Sequence, residues 1–365
     1  GSIDVPGGFV NVKYGHVQSD IRENICKGMG KQVREGRLGD GKYALRTVGF
    51  GPHSMGDDIL LAMETGEPYP IKMGFLCSTN TFINMAGESK RVYEAWQKVP
   101  FVVVCDLFMT PTAVGCADIV LPIAMGCERW GIRAWFTPLR AINKILQAGD
   151  ARGDEQIMLE LGQILNPDMF FWDDVLEMNE FLMKNLSSMP FDMTWDELQE
   201  KTLVYPKFQY RKYETGDMRF DHQPGFNTTT GKVELMSLMF AACDGDPLPY
   251  YEEPVFSPYW EDVTADDPLH DSEASRFMRS YTAEHPDWKK DFPIILTTGA
   301  RNWASFHSEH RQSKMLREIK EYPYVQMNPE LAEQIGVIDG DWVRIENPWG
   351  HCYEKAKVTP IVKPN

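Results

Sequence analysis

The sequence lacks any apolar run approaching the roughly 20 residues that a membrane-crossing helix requires. It also lacks a C-x-x-C pair. Its seven cysteines stand at 26, 77, 105, 116, 127, 243 and 352, so neither a zinc ribbon nor an iron-sulfur run is written in it. An odd count without regular spacing fits a reducing compartment, with most thiols serving as small buried hydrophobes. Positive charge is scarce: 37 Lys and Arg against 53 Asp and Glu leave a formal net charge of −16. That excess of acid argues against nucleic acid, whose phosphates select Lys and Arg patches. A dinucleotide fingerprint is missing too, because the glycines from Gly49 to Gly56 have the wrong spacing and Pro52 occupies the turn. No positively charged leader with an apolar core opens the chain at residue 1. What is present is a packed composition, 43% hydrophobic and 12% aromatic over 365 residues, which is enough chain for two or more cores.

The most informative stretch runs from Phe101 to Glu128. Phe101 to Cys105 is an unbroken apolar run, the pattern of a strand buried on both faces of a parallel sheet. It stops at Asp106, whose carboxylate then stands where open α/β sheets place their ligands, outside the carboxyl ends of the strands. Met109-Thr110-Pro111-Thr112 is expected as a turn, since Pro111 fixes its own φ and biases Thr110 away from helix. A second buried run, Ile119 to Ile123, follows Ala117-Asp118.

Upstream, Asp57 to Glu64 reads as an amphipathic helix, Ile71 to Cys77 as a strand, Ser78-Thr79-Asn80 as its polar exit and Glu88 to Lys98 as a helix. With the strand at Phe101 this makes a βαβ unit, with the right-handed crossover such units take. Both strand exits open on one edge. Ser78 and Asn80 offer hydroxyl and amide groups there, and Asp106 offers a carboxylate able to take two N–H donors side by side. A guanine Watson-Crick edge presents such a pair, and a ribose diol is the other candidate. Helix capping by Ser78 and Asn80 and turn formation by Asp106 are the competing structural roles.

Downstream, Asp154 to Leu165 and Trp172 to Leu186 carry helical apolar stripes, and Thr194-Trp195-Asp196-Glu197 is a capping box. Asn227 to Leu235 reads as a turn leading into a strand, and Asp244 to Asp287 as an acidic, proline-punctuated surface excursion. Near Pro293 a second domain begins, with Ile294 to Thr298 expected as a buried strand and Gly299-Ala300-Arg301 as the turn after it. His307 and His310 share a helical spacing that metal ligands use, with no third ligand nearby. Asn328-Pro329 opens a short helix that Gly336 closes, and Asp341 to Glu346 pairs back with Glu354 to Thr359. Short strands and tight turns suggest a small β-barrel.

Five pieces in one order carry a resemblance: Gly1 to Gly8; Pro68 to Lys72 leading to Asn80; Asp106 with Thr110, Thr112, Ala117-Asp118, Leu121-Pro122 and Glu128; Thr230 to Glu234; and Thr298-Gly299 through Asp339-Gly340-Asp341 to Thr359. The chain resembles the second half of a catalytic subunit of the molybdopterin oxidoreductase family, the bis-molybdopterin-guanine-dinucleotide enzymes of the dimethyl sulfoxide reductase type. Phe306 to Arg311 and Trp342 to Pro348 look most similar to the branch containing acetylene hydratase and anaerobic aromatic dehydroxylases.

The resemblance implies an α/β fold, an open parallel-sheet dinucleotide-binding domain over residues 1–203, a linker over 204–290 and a double-psi β-barrel domain over 291–365. It implies two molybdopterin guanine dinucleotides and molybdenum or tungsten, performing oxygen-atom or hydroxyl chemistry on a small-molecule substrate. Ser78, Asn80, Asp106, Thr110 and Asp118 carry over as dinucleotide contacts in the first domain, and Thr298, Gly299, Arg301, His307, Ser308 and Arg311 as pterin or pyrophosphate contacts in the second. Thr81 stands where the family usually has proline, and Ala300 displaces Arg301 from the commoner Thr-Gly-Arg order. The family's metal-binding residue and 4Fe-4S cluster are expected before residue 1, as is any export signal, and an iron-sulfur electron-transfer subunit is the expected partner. The alternative is an inert nucleotide-binding or assembly module.

Overall fold

The computed structural model describes residues 2–10, 35–43, 54–84, 89–133, 138–185, 193–205, 208–219, 221–243, 245–249, 251–260, 273–298, 302–304 and 309–364. The Gly49 to His53 part of the glycine cluster lies outside them. They form two compact units that divide between Leu248 and Pro249, inside the stretch expected to link domains.

In the first unit, helix α1 (Gly56–Thr65) starts with Asp57 and Asp58 at the positive end of its dipole. Strand β1 (Gly74–Cys77), helix α2 (Ser89–Trp96), strand β2 (Val102–Asp106), helix α3 (Pro111–Cys116) and strand β3 (Ile119–Pro122) follow. The three strands are parallel in the order β1-β2-β3. β2 is central, and Val102 to Cys105 are buried at four consecutive positions, the pattern of a strand covered on both faces. Gly74 is required by packing: a methyl group there would stand 2.5 Å from Cζ3 of Trp96, so α2 lies directly on the β1 backbone. The expected turn at Met109 to Thr112 is instead the start of α3. Thr110 is its N-cap, accepting from the Ala113 N–H at 3.3 Å, and Pro111 occupies the first helical position, where the missing N–H would have had no partner.

A second, antiparallel sheet joins β4 (Gly131–Arg133), β5 (Leu139–Ile142) and β6 (Leu203–Val204) in that order. Helices α4 (Asp154–Leu165), α5 (Val175–Asn185) and α6 (Trp195–Lys201) lie between β5 and β6 in sequence. Leu139, Met183, Trp195 and Leu198 form the core beside this sheet. The capping box of α6 is closed: Glu197 N–H donates to Thr194 Oγ1 at 3.2 Å and Thr194 N–H to Glu197 Oε2 at 2.8 Å.

A buried ionic joint also holds this unit. Asp4 is fully buried. Its Oδ2 accepts from the Lys212 backbone N–H at 2.7 Å and its Oδ1 from the Lys212 ammonium, which donates as well to Gln209 O at 2.8 Å. The strand expected near Val233 to Leu235 is irregular chain, with Leu235 86% exposed. Local bonds hold a turn there: Thr228 Oγ1 donates to Lys232 O at 2.7 Å, and Thr230 N–H and Oγ1 both donate to Glu234 Oε1.

In the second unit, helix α7 (Glu273–Glu284) lies within the expected surface excursion and fully buries Met278. Strand β7 (Tyr324–Met327), helix α8 (Pro329–Ile335), strand β8 (Trp342–Asn347) and strand β9 (Gly350–Val358) close the chain. α8 has the predicted ends, with Asn328 Oδ1 accepting from Glu330 N–H at 2.8 Å and Gly336 in the left-handed region at φ 70°. The sheet order is β7-β9-β8, parallel then antiparallel. Met327, Ala332 and Ala356 form the core under it. Among the described residues this unit has one three-stranded sheet and no closed barrel. The buried strand expected at Ile294 to Thr298 is irregular, and Ile294, Ile295 and Leu296 remain 45%, 47% and 57% exposed. A short apolar run asks for burial without supplying the neighbouring strand that would make it a ladder.

Candidate functional site

The strands of the parallel sheet bring two polar exits to one edge. Cys77 of β1 is in register with Cys105 of β2, so Ser78 leaves the sheet beside Asp106, which in turn is paired with Pro122 of β3. Ser78 adopts φ 54°, the left-handed region, which turns the chain sharply as it leaves β1.

The groups beyond the strand ends are hydrogen-bonded into one frame. Asp106 Oδ1 accepts from Leu107 N–H at 2.7 Å, and Oδ2 accepts from the Thr110 hydroxyl at 3.2 Å. Thr110 in turn caps α3. Two residues on, the fully buried Thr112 donates to Asn80 Oδ1 at 2.6 Å and accepts from Phe82 N–H at 3.1 Å. α3 therefore grips both exits, Asp106 through Thr110 and Asn80 through Thr112.

This arrangement leaves acceptors and donors for a ligand. A carboxylate has about four lone-pair sites, and Asp106 spends two, so both oxygens still accept one more N–H. Asp106 is half-buried, which strengthens such bonds over their strength in water. Asn80 has its carbonyl oxygen committed, and its amide nitrogen makes no hydrogen bond within the described residues. Beside it the Thr81 hydroxyl oxygen is buried without a partner, an orphan that a ligand or a water would satisfy. A base with two adjacent N–H donors, attached to a sugar and phosphates, fits this donor and acceptor set. Under the edge, burial pushes the Cys105 thiol up to about 12 and raises Cys77 as well, so both stay protonated, as small core groups do.

Asp118, also expected as a dinucleotide contact, lies away from this edge. It stands at the amino end of β2, where its Oδ2 accepts from Val102 N–H at 2.7 Å and its own N–H donates to Val102 O at 2.8 Å. Four residues of strand, about 13 Å, separate it from the edge that holds Asp106. Its role is to pin the start of β2 to the start of β3.

Of the expected contacts in the second unit, Thr298 is exposed in irregular chain. Gly299, Arg301, His307 and Ser308 lie outside the described residues, as does the side chain of Arg311, whose backbone is in the short 3-10 turn Glu309–Gln312. His310 Nδ1 stands 3.0 Å from Trp303 O, which accepts from it. Among the described residues no three His, Cys, Asp or Glu gather to hold a metal. Sequence reasoning missed Thr112 as the tie between the two exits. The signal was Thr110-Pro111, an N-cap followed by proline, which would have put Thr112 on a helix facing Asn80.

Residues 294–365 match the family model described as the molydopterin dinucleotide binding domain. The chain is a relative of the molybdopterin oxidoreductases. This relative is 28% identical over 297 residues to acetylene hydratase of Syntrophotalea acetylenica, covering 80% of the chain and 36% of that protein. It is 26% identical over 443 residues to dopamine dehydroxylase of Eggerthella lenta, covering 100% of the chain and 40% of that protein. The chain thus spans well under half the length of the curated relatives it matches. Its fold resembles that of acetylene hydratase from Pelobacter acetylenicus, with a TM-score of 0.71 at 23% identity over 93% of this chain and 45% of that one.

Proposed function

We propose that the carboxyl edge of β1 and β2 binds the guanosine end of a molybdopterin guanine dinucleotide. The protein is then the cofactor-holding part of a molybdenum or tungsten oxidoreductase acting by oxygen-atom or hydroxyl transfer, or by reductive dehydroxylation, on a small substrate. The observation that carries this reading is the convergence of Asp106, Thr110, Thr112 and Asn80 beyond the ends of two parallel strands, in a chain whose last 72 residues match a molydopterin dinucleotide binding domain.

Each residue has a chemical task. Asp106 accepts the two N–H donors of the guanine edge, and Thr110 and Leu107 N–H hold the carboxylate in place. Asn80 and Ser78 donate to sugar or phosphate oxygens. Thr298, Gly299, Arg301, His307, Ser308 and Arg311 contact pterin or pyrophosphate from residues 294–365, which we assign to a double-psi barrel holding a second dinucleotide. A bound molybdenum or tungsten dithiolene centre supplies the redox chemistry, while the protein supplies binding, orientation and electrostatics. The substrate, a 4Fe-4S cluster and an iron-sulfur partner subunit belong to the whole protein under this proposal.

The test is the GMP released by acid hydrolysis of the full-length protein, with its molybdenum and tungsten content. Asp106→Ala removes two charge-assisted bonds and should lower GMP content at least tenfold. Unchanged GMP would sink the guanine assignment, and GMP without either metal would indicate the inert nucleotide-binding module instead.

A further inference from the structure

The outward face of the β7-β9-β8 sheet carries a charge opposite to that of the chain. Its inward positions, Val325, Met327, Val343, Ala356 and Val358, pack on the core. The outward positions follow from the register: Tyr324 and Trp342 both stand opposite Lys355, and Lys357 is the next outward residue on β9. Lys355 Nζ lies 4.5 Å from the Tyr322 ring centroid and 5.6 Å from that of Trp342. Lys320 Nζ lies 4.5 Å from the Tyr324 ring and Lys357 Nζ 5.2 Å from it. Lys320 also donates to the Tyr324 hydroxyl at 2.9 Å. That bond, with the charges of Lys320 and Lys357, holds the Tyr324 hydroxyl below its usual range although burial opposes the shift.

None of these three lysines has a carboxylate partner among the described residues, in a chain with 53 acids and 37 bases. Elsewhere Lys90, Lys184 and Lys290 pair with Glu94, Glu180 and Asp287. Among the described residues the three cations thus have no salt-bridge partner, the nearby Glu321 carboxylate being engaged by the Tyr322 hydroxyl, and the rings beneath them limit their motion, which lowers the entropy lost when an anion binds. We propose that this face, Lys320, Lys355 and Lys357 set over Tyr322, Tyr324 and Trp342, docks a carboxylate-rich surface of a partner protein. Carboxylates suit it better than phosphates. The neighbouring arginine, Arg344, which would supply a bidentate phosphate fork, is paired with Glu346 at 2.5 Å, and single ammonium charges remain.

The experiment is fluorescence anisotropy of a labelled polyglutamate peptide with the full-length protein at low salt. Wild type should bind, and the triple variant K320Q/K355Q/K357Q should bind about tenfold more weakly or worse. The control K90Q/K184Q/K290Q removes the same charge from lysines already paired and should change affinity less than twofold. Where the first triple variant unfolds in a thermal melt, Lys357→Glu, at one exposed position of β9, should still weaken binding threefold or more. No binding by wild type, equal loss in the two triple variants, or no effect of Lys357→Glu would overturn the proposal. So would tighter binding of an oligonucleotide or phosphatidylserine vesicles through the same lysines.

Discussion

In the first unit β2 is buried at Val102, Val103, Val104 and Cys105 in succession, whereas β8 in the second alternates exposed and half-buried residues from Trp342 to Ile345. A strand covered on both faces has only its ends to offer a ligand, and the first unit accordingly gathers Asp106, Asn80 and their threonines beyond the strand ends. A sheet covered on one face has the other to offer, and there the second unit sets lysines over aromatic rings. Within one chain, burial pattern decides whether chemistry collects at an edge or on a surface.

The largest expected effect tests how far buried polar joints hold the first unit. Asp4→Ala leaves the Lys212 ammonium buried without its counter-charge and should cost about 3 to 5 kcal/mol in urea unfolding. A loss below 1 kcal/mol would mean that apolar packing alone holds it. The same substitution in the two sheets comes next. Val104→Ala, at a fully buried position, should cost about 2 kcal/mol, and Val343→Ala, at a half-buried one, about half as much. Equal costs would erase the contrast in coverage.

Thr112→Val should cost about 1 to 2 kcal/mol, because Asn80 Oδ1 and Phe82 N–H lose their partner in a buried place. It should also lower GMP content more than Val104→Ala does at similar stability, if the frame at the edge matters beyond the core. The smallest effect concerns pH. In the unfolded chain Cys105 titrates near 9.0, and folded it is pushed up to about 12 by burial first and by Cys77 beside it. Between those values the unfolded state has lost a proton that the folded state keeps, so stability falls as pH rises above about 9. Urea unfolding from pH 8 to 11 should show a shallower decline in Cys105→Ala than in wild type.

The parts of the fold legible in the sequence were those written locally. Four apolar residues ending at Asp106 give β2, Thr194 with Glu197 gives the start of α6, and Asn328-Pro329 with Gly336 gives both ends of α8. The placement of Ser78, Asn80 and Asp106 at one edge followed from the βαβ pattern, since parallel neighbours must end on the same side. Long-range partners were not legible. Asp118 follows Asp106 by twelve residues in sequence yet bonds Val102 at the far end of β2, and β7 is a strand because β9 pairs with it. Ile294 to Thr298 has the composition of a strand but stays irregular. Pro111 misled for a different reason: its fixed φ serves a turn and a first helical position equally well, and Thr110 as N-cap decides between them.

The Asp4 and Lys212 joint sets a timetable for synthesis. The two residues are 208 apart in sequence. At about 5 to 20 residues per second, Asp4 leaves the ribosome roughly ten to forty seconds before Lys212 can meet it. Throughout that interval its carboxylate stays in water and the segment around it has no seat. The parallel sheet, complete by Pro122, can form well before that joint closes. A chaperone or protease that acts on the nascent chain would therefore meet the segment around Asp4 before Lys212 is there to hold it.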